Sequence, residues 1–256
     1  MSELTYELFS ELYRATATRE TPGFSINYEK LTSDDVCSRL WRISDRLIDN
    51  AKKFNLTSIL EPSEIVRKHI VDSICPLGLL LERGINPTRV LDVGTGAGFP
   101  LLPMAAAMTA IEPKTTFLGL DATAKKISHI LETAEYAEIP TVSAMQGRAE
   151  EVAAGKFRER FDLVTARAVA DLNVLMELCA PFVAVGGVFA SLKSHADEEM
   201  ERSAAAAKIL GLTLEEKIDY EIPGGDSRCL IIYRKTAKTP PIYPRRYAEI
   251  TKKPLK

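Results

Sequence analysis

The segment from Leu91 to Pro100 constrains the fold more than any other part of this chain. It reads Leu-Asp-Val-Gly-Thr-Gly-Ala-Gly-Phe-Pro, so a short apolar run leads into three glycines at alternate positions and then into a helical pattern. Glycine is needed where a backbone turns sharply and approaches a ligand, because it has no Cβ. A plain strand-to-helix turn is the alternative, but three glycines after an acidic strand end favour a ligand-binding turn.

From Arg89 onward, strand-like runs alternate with helical ones. Short β-branched runs stand at residues 89–94, 115–121, 141–146, 161–166, 186–193, 213–222 and 228–235. Helical runs stand between them at residues 99–110, 122–137, 169–182 and 195–210. This alternation predicts a parallel sheet that is covered on both faces. The last two strand runs are joined by Pro223-Gly224-Gly225-Asp226, a segment of hairpin length, so the final strand is predicted to be antiparallel to its neighbour.

Residues 1–84 show helical periodicity only, with leucines at four-residue spacing near the N-terminus. Residues 32–35 combine hydroxyls and carboxylates, which is typical of a helix start. Pro62 suits the first turn of a further helix over about residues 62–81. Residues 15–26 have no period, so they predict a loop or a partly disordered connection.

The spacing of the glycines indicates which ligand the turn binds. A dinucleotide fingerprint, G-x-G-x-x-G, would need its third glycine where Phe99 stands, and no G-K-[ST] follows to form a P-loop. Asp121 ends the next strand run, 23 residues after Gly98, where a carboxylate can accept hydrogen bonds from both hydroxyls of an adenosine ribose. That carboxylate suits NAD and S-adenosylmethionine equally, whereas the glycine spacing favours S-adenosylmethionine. Alternatively, Asp121 caps the helix that begins near Thr123.

Composition excludes further classes of protein. The longest apolar stretch, residues 101–111, is too short to cross a bilayer, and the N-terminus lacks the features of a signal peptide. The four cysteines lie far apart without a C-x-x-C pair, which predicts reduced, buried thiols in a cytoplasmic protein. A net charge of −2, from 33 basic and 35 acidic residues, argues mildly against a nucleic-acid partner.

This net charge is the average of two unlike parts. Residues 234–256 carry eight basic side chains against one acidic one, a net charge of +7, whereas the other 233 residues carry 25 basic and 34 acidic ones, a net charge of −9. A basic segment that also holds Tyr243 and Tyr247 is typical of a nucleic-acid contact, because phosphates bind the cations and bases stack on the rings. The alternative is a solvated, flexible terminus.

Several short motifs in a fixed order carry a resemblance to a known family. They are Phe54-Asn55-Leu56-Thr57-Ser58-Ile59, His69-Ile70-Val71-Asp72-Ser73, the segment 91–100, Arg148-Ala149-Glu150-Glu151, Ala166-Arg167-Ala168-Val169-Ala170, Leu192-Lys193, and an ending with Tyr243-Pro244-Arg245-Arg246 and Lys252-Lys253-Pro254-Leu255. The glycine turn resembles the first motif of class I S-adenosylmethionine-dependent methyltransferases. The ordered set, over about residues 36–256, resembles the RsmG family (glucose-inhibited division protein B), bacterial methyltransferases of the small-subunit ribosomal RNA.

The resemblance implies methyl transfer from S-adenosylmethionine to N7 of a guanine in the decoding-region loop of 16S rRNA. It places the cofactor on Gly94, Phe99, Ala149, Glu150 and Arg167. It also implies a Rossmann-like, mostly parallel seven-stranded sheet with the last strand antiparallel. Departures from the family pattern occur at Leu101, at residues 124–126 and at Ser194, and the first 30 residues have no clear counterpart. None of these departures removes a cofactor position.

The chemistry of N7 methylation agrees with the residues present. Guanine N7 carries a free lone pair, so no proton has to leave before attack and no general base is obligatory. His69, His129 and His195 lie far apart in the sequence and form no convincing base-and-orienter set, so no catalytic residue is assigned. For His69, a core or surface role is the commoner expectation. A noncatalytic binding protein would lack a base as well.

Three basic residues at predicted strand or loop ends are further candidates. Arg167 ends a strand at the sheet edge where ligands of α/β sheets bind, so we expect it to contact the cofactor or orient the guanine. Its alternative is an ion pair with Asp171 or Glu150. Lys193 and Arg148 are candidate phosphate contacts, and for Lys193 a buried stem with an exposed ammonium is equally credible.

We therefore predict a helical extension at residues 1–84, a methyltransferase domain at 85–236 and a basic tail at 237–256. The predicted cofactor-binding residues are Asp92, Gly94, Gly96, Gly98, Phe99, Asp121, Ala149, Glu150 and Arg167. The predicted RNA-binding residues are Arg148, Lys193, Arg245, Arg246, Lys252 and Lys253. No metal is expected, the partner is 16S rRNA or the small ribosomal subunit, and the chain is expected to be monomeric, cytoplasmic and not membrane-bound.

Three alternatives remain open from the sequence. The enzyme could methylate another RNA position or a protein. The chain could be an NAD-dependent oxidoreductase, although Phe99 stands where the dinucleotide fingerprint requires its third glycine. It could also be an RNA-binding protein that kept the fold without catalysis, and the fold by itself does not decide among these.

Overall fold

A seven-stranded sheet organises the part of the chain that the computed structural model describes, namely residues 4–54, 56–167 and 170–255. Its strands are β1 (Arg89–Val93), β2 (Thr116–Asp121), β3 (Val142–Gln146), β4 (Phe161–Arg167), β5 (Val183–Lys193), β6 (Leu212–Ile222) and β7 (Asp226–Lys235). They lie in the order β3-β2-β1-β4-β5-β7-β6. The first five pair in parallel, and β7 is antiparallel to both β5 and β6. The predicted fold class and the reversed last strand are thus confirmed.

Helices cover the sheet and precede it. They are α1 (Tyr6–Thr16), α2 (Tyr28–Leu31), α3 (Asp34–Phe54), α4 (Pro62–Ile65), α5 (Asp72–Glu82), α6 (Leu101–Ile111), α7 (Ala124–Tyr136), α8 (Ala149–Val152), α9 (Leu172–Cys179), α10 (Asp197–Ile209) and α11 (Tyr247–Lys252). The four predicted crossover helices correspond to α6, α7, α9 and α10. The prediction for α9 began at Val169, which lies outside the described residues, and the helix ends in a 3₁₀ turn that contains Pro181.

The N-terminal helices begin where their sequence signals predict. Ser33 Oγ accepts a hydrogen bond from the N–H of Val36 at 3.4 Å, at the start of α3. Pro62 occupies the first turn of α4, and a π-helical turn over Val66–Val71 joins α4 to α5. The predicted helix over residues 62–81 is therefore correct in extent, while its π-helical turn was not predicted.

The connection after α1 is a loop over residues 17–26, two residues shorter than predicted because α1 extends to Thr16, and it is packed into the core. Phe24 and Ala17 are fully buried, and the hydroxyl of Thr21 donates to the carbonyl of Thr16 at 2.9 Å. The alternative of a partly disordered connection is wrong, because an aromatic side chain in this short segment reaches the hydrophobic core.

Strand β5 is longer than predicted because it contains a bulge. Phe161 pairs with Val183, whereas Leu163, two residues later, pairs with Val188, so residues 184–187 protrude from the ladder. Val185 is half exposed there, and Gly186 has a φ of 89°. The predicted strand run begins at Gly186, within the bulge, so residues 183–185 are the part of β5 that the sequence pattern did not indicate.

The hydrophobic core lies on both faces of the sheet. On one face, α3, α5 and α6 share a cluster with the sheet that includes Phe9, Leu40, Leu102 and Leu163. On the other face, α9 and α10 pack over a second cluster. All four cysteines are buried and free, as predicted. Among the helices of the described segments, none combines the length and apolar character needed to span a membrane.

The basic C-terminal segment is docked on the domain. Arg158 donates hydrogen bonds to the carbonyls of Tyr243 and Thr239 at 2.9 and 2.8 Å. Arg245 lies beside the fully buried carboxylate of Glu177, with Nη2–Oε2 and Nε–Oε1 distances of 2.6 and 2.9 Å. Ile250 of α11 is fully buried. The alternative of a solvated, flexible terminus is therefore wrong for residues 237–255.

We predict that Arg245→Met lowers the free energy of unfolding by roughly 3 kcal/mol, because it leaves the carboxylate of Glu177 buried without its cation. Arg246→Met is the matched control, since Arg246 is exposed on the same segment and its loss should change stability by less than about 0.5 kcal/mol. Urea denaturation of both variants measures the difference. Equal stabilities would mean that the ion pair does not hold the segment.

We also predict that acid destabilises the protein through His129. Burial lowers the pKa of His129 from 6.5 to about 4, so below pH 6.5 the unfolded chain binds a proton that the folded chain excludes. Stability contributed by this histidine is present near pH 7 and falls by about 2 kcal/mol at pH 5. His129→Gln should flatten the pH dependence of the urea midpoint by that amount. An unchanged pH dependence would contradict the assignment.

Candidate functional site

Two neighbouring cavities lie along the carboxyl edge of the sheet. The first, the glycine-turn cavity, measures about 180 Å³ and lies at the ends of β1, β2 and β3. The second, the histidine cavity, measures about 460 Å³ and is formed by the ends of β4 and β5, by β6 and β7, and by the segment around the π-helical turn. Phe99 follows the glycine turn, and its buried ring packs against His69 of the histidine cavity, with 4.9 Å between the ring centroids. Ligands of open α/β sheets bind at this edge.

Hydrogen bonds fix the glycine turn to β2. The N–H groups of Gly94 and Thr95 donate to the carbonyl of Leu120 at 2.8 and 3.1 Å. The N–H of Gly96 donates to Asp121 Oδ2 at 3.0 Å. The turn therefore presents its backbone to the cavity in one conformation.

The glycines of the turn have different surroundings and therefore different structural roles. Gly94, Gly96 and Gly98 all have positive φ, at 72°, 59° and 89°. A Cβ at Gly98 would lie 2.5 Å from the Cδ1 of Leu102, so this glycine is required for close packing of α6. A Cβ at Gly96 would meet nothing closer than the Gly94 carbonyl at 3.8 Å, so the space beside Gly96 is open to a ligand.

Asp121 serves the turn and the following helix together. Its Oδ2 accepts from Gly96, and its Oδ1 accepts from the N–H of Thr123 at 2.9 Å, at the start of α7. The expected helix-capping contact is therefore present. A carboxylate has about four lone-pair sites, so Asp121 keeps acceptor capacity toward the cavity that it lines.

Asp92 is a buried acid, and one of its two carboxylate oxygens has no hydrogen-bond partner in the described residues. Its Oδ1 accepts from the Thr165 hydroxyl at 2.7 Å, while its Oδ2 has no hydrogen-bond partner among the described residues. The hydroxyls of Thr95 and Ser191 are likewise buried without a partner in that part of the chain. Burial raises the pKa of Asp92 to about 6. Buried polar atoms left unsatisfied next to a ligand turn indicate a place that a polar ligand completes.

Ala149 and Glu150 line the glycine-turn cavity together with Arg148, Leu178 and Tyr247. Arg148 is more than half exposed, and its guanidinium lies 4.0 Å from the carboxylate of Glu150. The same guanidinium lies 6.0 Å from the ring centroid of Tyr247. The C-terminal segment thus contributes a wall to this cavity.

Arg167 lies in the histidine cavity and pairs with an unexpected partner. Its Nη1 lies 3.4 Å from Asp72 Oδ2, so the expected partners Asp171 and Glu150 are wrong. The other oxygen of Asp72 accepts from Arg228 at 2.8 Å. Two guanidinium groups therefore share one carboxylate, and the three side chains together carry a net positive charge. Burial lowers the pKa of Arg167, and Asp72 opposes that shift.

His69 also lines the histidine cavity. Its Nε2 lies 3.0 Å from the hydroxyl of Thr57, whose oxygen accepts from the N–H of Ile59. Its Nδ1 is buried without a partner in the described segments. Burial lowers the pKa of His69 to about 4, with a smaller contribution from Arg167, so the ring is neutral near pH 7. The ring thus packs against Phe99 and also forms part of the wall of the cavity.

The remaining basic candidates divide into exposed and engaged side chains. Lys193 lines the histidine cavity, but its ammonium donates to Glu199 at 2.8 Å and to the carbonyl of Ala170 at 2.7 Å. Arg246, Lys252 and Lys253 are exposed on or beside α11. Lys256 lies outside the described residues.

Sequence reasoning missed several residues of the site. It assigned no role to Asp72, Arg228 or Tyr220, and it assigned Tyr247 to RNA. Asp72 and Arg228 are 156 residues apart, so local patterns hold no sign of their pairing. The motif at residues 69–73 was the available signal for Asp72, whereas Asn55, Ala168 and Val169 of the quoted motifs lie outside the described residues.

In the described segments, no group of His, Cys, Asp or Glu is arranged to hold a metal ion.

Comparisons of the sequence with known proteins all match one family. A family model described as rRNA small subunit methyltransferase G matches residues 37–220. The ribosomal RNA small subunit methyltransferase G of Acetivibrio thermocellus is 35% identical over 235 residues, which cover 91% of this chain and 93% of the relative. The protein of the same name from Streptococcus pyogenes serotype M3 is 38% identical over 242 residues, which cover 93% and 97%.

A solved structure shows the fold independently. The SAM-dependent methyltransferase from Aquifex aeolicus aligns with a TM-score of 0.50 at 16% identity, covering 73% of this chain and 97% of that one. At this identity the likeness concerns the fold alone.

We predict that two glycine variants separate the packing role from the open position in the turn. Gly98→Ala should lower the free energy of unfolding by roughly 3 kcal/mol, because its Cβ collides with Leu102 in a strained conformation. Gly96→Ala should cost roughly 1 kcal/mol, since it meets only the conformational penalty. Urea denaturation without ligand checks the order, and an equal or reversed order would contradict this division.

Proposed function

This chain belongs to the rRNA small subunit methyltransferase G family, and from that premise we propose that it transfers a methyl group from S-adenosylmethionine to N7 of a guanine in the decoding-region loop of 16S rRNA. The observation that carries the proposal is the pair of cavities at the carboxyl edge of the sheet. One is built around a glycine turn with acidic residues, and the other holds an excess of guanidinium charge.

The glycine turn and the cavity beside it fit S-adenosylmethionine by the acceptors that they hold. Asp92 Oδ2 is a buried acceptor without a partner in the described chain, which suits a cationic amino group. Asp121 retains acceptor capacity for the ribose hydroxyls, and the open side of Gly96 allows close backbone approach. Ala149 and Glu150 complete the wall. When bound, the cofactor supplies a methyl group that its positive sulfur makes electrophilic.

We place the target nucleotide in the histidine cavity. Arg167 and Arg228 against Asp72 give an excess of positive charge, which suits the phosphate of an RNA nucleotide. The Thr57 hydroxyl accepts from the N–H of Ile59 and lies 3.0 Å from His69 Nε2, which fixes the orientation of the imidazole ring at the wall of the cavity. His69 thereby contributes a neutral, flat ring against which the base can pack. Ile59 and Leu192 give this cavity apolar wall for a flat base.

The reaction then needs positioning rather than proton removal. N7 already has a lone pair, so the residues of the histidine cavity have to hold the base in line and keep water out. Arg167 lines the histidine cavity, and its guanidinium lies 5.9 Å from the ring centroid of Phe99, which follows the glycine turn. Arg167 thereby orients the acceptor next to the cofactor. No catalytic base is assigned.

RNA docks, in this proposal, through the exposed cations. Arg246, Lys252 and Lys253 are exposed on the C-terminal segment, and Arg148 lies beside the cofactor cavity. Lys193 contributes to the wall of the nucleotide cavity, where Glu199 holds its ammonium. Arg245 is committed to Glu177, so we reassign it from RNA contact to anchoring.

We retain the remaining sequence expectations as part of the proposal. The extension 1–84, the methyltransferase domain 85–236 and the tail 237–256 act as one unit, since His69 and Tyr247 reach the two cavities from outside the central part. One chain supplies residues to both cavities, which supports a monomer. The RNA substrate class places the activity in the cytoplasm.

We predict that the purified chain transfers tritiated methyl from S-adenosylmethionine to 16S rRNA, as free RNA or within small subunits that lack the modification. Strand cleavage specific for N7-methylguanine should map the label to one guanine of the decoding-region loop. Label at another position, or in ribosomal protein, would overturn the assigned target. Binding of rRNA without label transfer would favour a noncatalytic protein, and calorimetric binding of NAD instead of S-adenosylmethionine would favour an oxidoreductase.

Arg167→Met in the same assay should lower the rate by about 100-fold or more, because misplacement of the acceptor is costly. Arg160→Met is the matched control, since Arg160 is an exposed arginine seven residues earlier in the chain. Equal rates for the two variants would exclude an orienting role for Arg167.

A further inference from the structure

The aromatic ring at Tyr247 lies at the cofactor cavity rather than on a free tail. It lines the glycine-turn cavity together with Gly94, Asp121 and Glu150. Its side chain remains 39% exposed, so the ring forms an outer wall between the cavity and solvent. The sequence alone favours RNA stacking for this tyrosine, whereas its place in the fold suggests another partner.

Contacts on both sides of Tyr247 hold it at this position. Before it, Arg245 binds Glu177 of α9 through its side chain, and its backbone N–H donates to the same carboxylate at 2.9 Å. After it, Ile250 is fully buried, and Asn173 donates to the carbonyl of Leu255 at 3.2 Å. The segment therefore forms a strap across α9, and Tyr247 does not depend on RNA for its placement.

The charges of the cavity decide between RNA and a nucleoside. Beside Tyr247 the cavity presents the carboxylates of Asp121 and Glu150, and Arg148 is already close to Glu150. Asp121 in turn has Lys126 at 3.8 Å, so the cavity has no excess of positive charge to hold a phosphate, whereas the adenosine part of S-adenosylmethionine carries no phosphate. The apolar lining, with Leu120 and Leu178, suits the flat face of a purine.

From this arrangement we propose that Tyr247 is a cofactor-binding residue whose ring stacks on the adenine of S-adenosylmethionine and closes the cavity from the solvent side. This rests on the proposed function for the identity of the cofactor. The strap is then part of the cofactor site, and Arg245 with Glu177 positions the stacking ring.

Calorimetric titration of the full chain with S-adenosylmethionine and with S-adenosylhomocysteine tests the proposal. Tyr247→Ala should raise both dissociation constants about 5- to 30-fold, the range expected for loss of one base–aromatic stack. Tyr247→Phe keeps the ring and should restore wild-type affinity. Ile242→Ala is the matched control, since Ile242 is 72% exposed on the same segment and lies outside the cavity.

Kinetics distinguish stacking on the cofactor from stacking on RNA or loss of structure. Tyr247→Ala should raise KM for S-adenosylmethionine, leave KM for rRNA unchanged and keep the Tm of the ligand-free protein. Unchanged cofactor affinity with weaker rRNA binding would overturn the proposal in favour of RNA stacking. Weak cofactor binding by Tyr247→Phe would overturn it as well, because the ring face would then not be the contact.

The titration is independent of the methylation assay. If the wild-type chain binds S-adenosylmethionine but labels no rRNA, the proposed function fails while the comparison of Tyr247 variants still decides the role of the ring. If the wild-type chain binds neither cofactor form, both proposals are overturned.

Discussion

The carboxylate of Asp121 joins the parts of the molecule on which the site depends. It accepts the N–H of Gly96 from the turn after β1 and the N–H of Thr123 at the start of α7. Two adjacent parallel strands and the helix between β2 and β3 are thereby fixed relative to each other at the carboxyl edge. An acidic side chain that binds both N–H groups fixes the position of the turn, and the glycines of the turn adopt their positive φ angles without strain.

Local sequence patterns predicted the sheet because a strand run is defined by its own residues. The runs around Leu91, Leu118 and Val164 alternate with helical segments. The short hairpin segment at residues 223–226 predicts that the last strand, β7, is antiparallel to its neighbour. The glycine turn and its acid were predictable for the same reason, since their spacing lies within one loop. The bulge in β5 could not be predicted, because it interrupts the strand pattern of the sequence and has no recognisable pattern of its own.

Contacts between distant segments explain what the sequence did not reveal. The ion-pair partners considered for Arg167 were Asp171 and Glu150, yet the carboxylate that it meets is Asp72, 95 residues away. The ion pair of Glu177 with Arg245 spans 68 residues, and it converts a basic tail into a docked strap. Charge counts treat Lys235 like any surface lysine, although burial lowers its pKa to about 8 and its ammonium donates to the carbonyl of Ala180. Part of the positive charge of the C-terminal segment therefore holds the protein together.

The bulge at residues 184–187 has a consequence for how this chain can vary. It lies at the amino end of β5, across the sheet from both cavities, and it exposes the side chain of Val185. Protruding loops remote from a binding surface tolerate insertions, because few buried contacts change when they lengthen. Residues 184–187 line neither cavity, so a longer protrusion at this point is expected to leave both cavities unchanged.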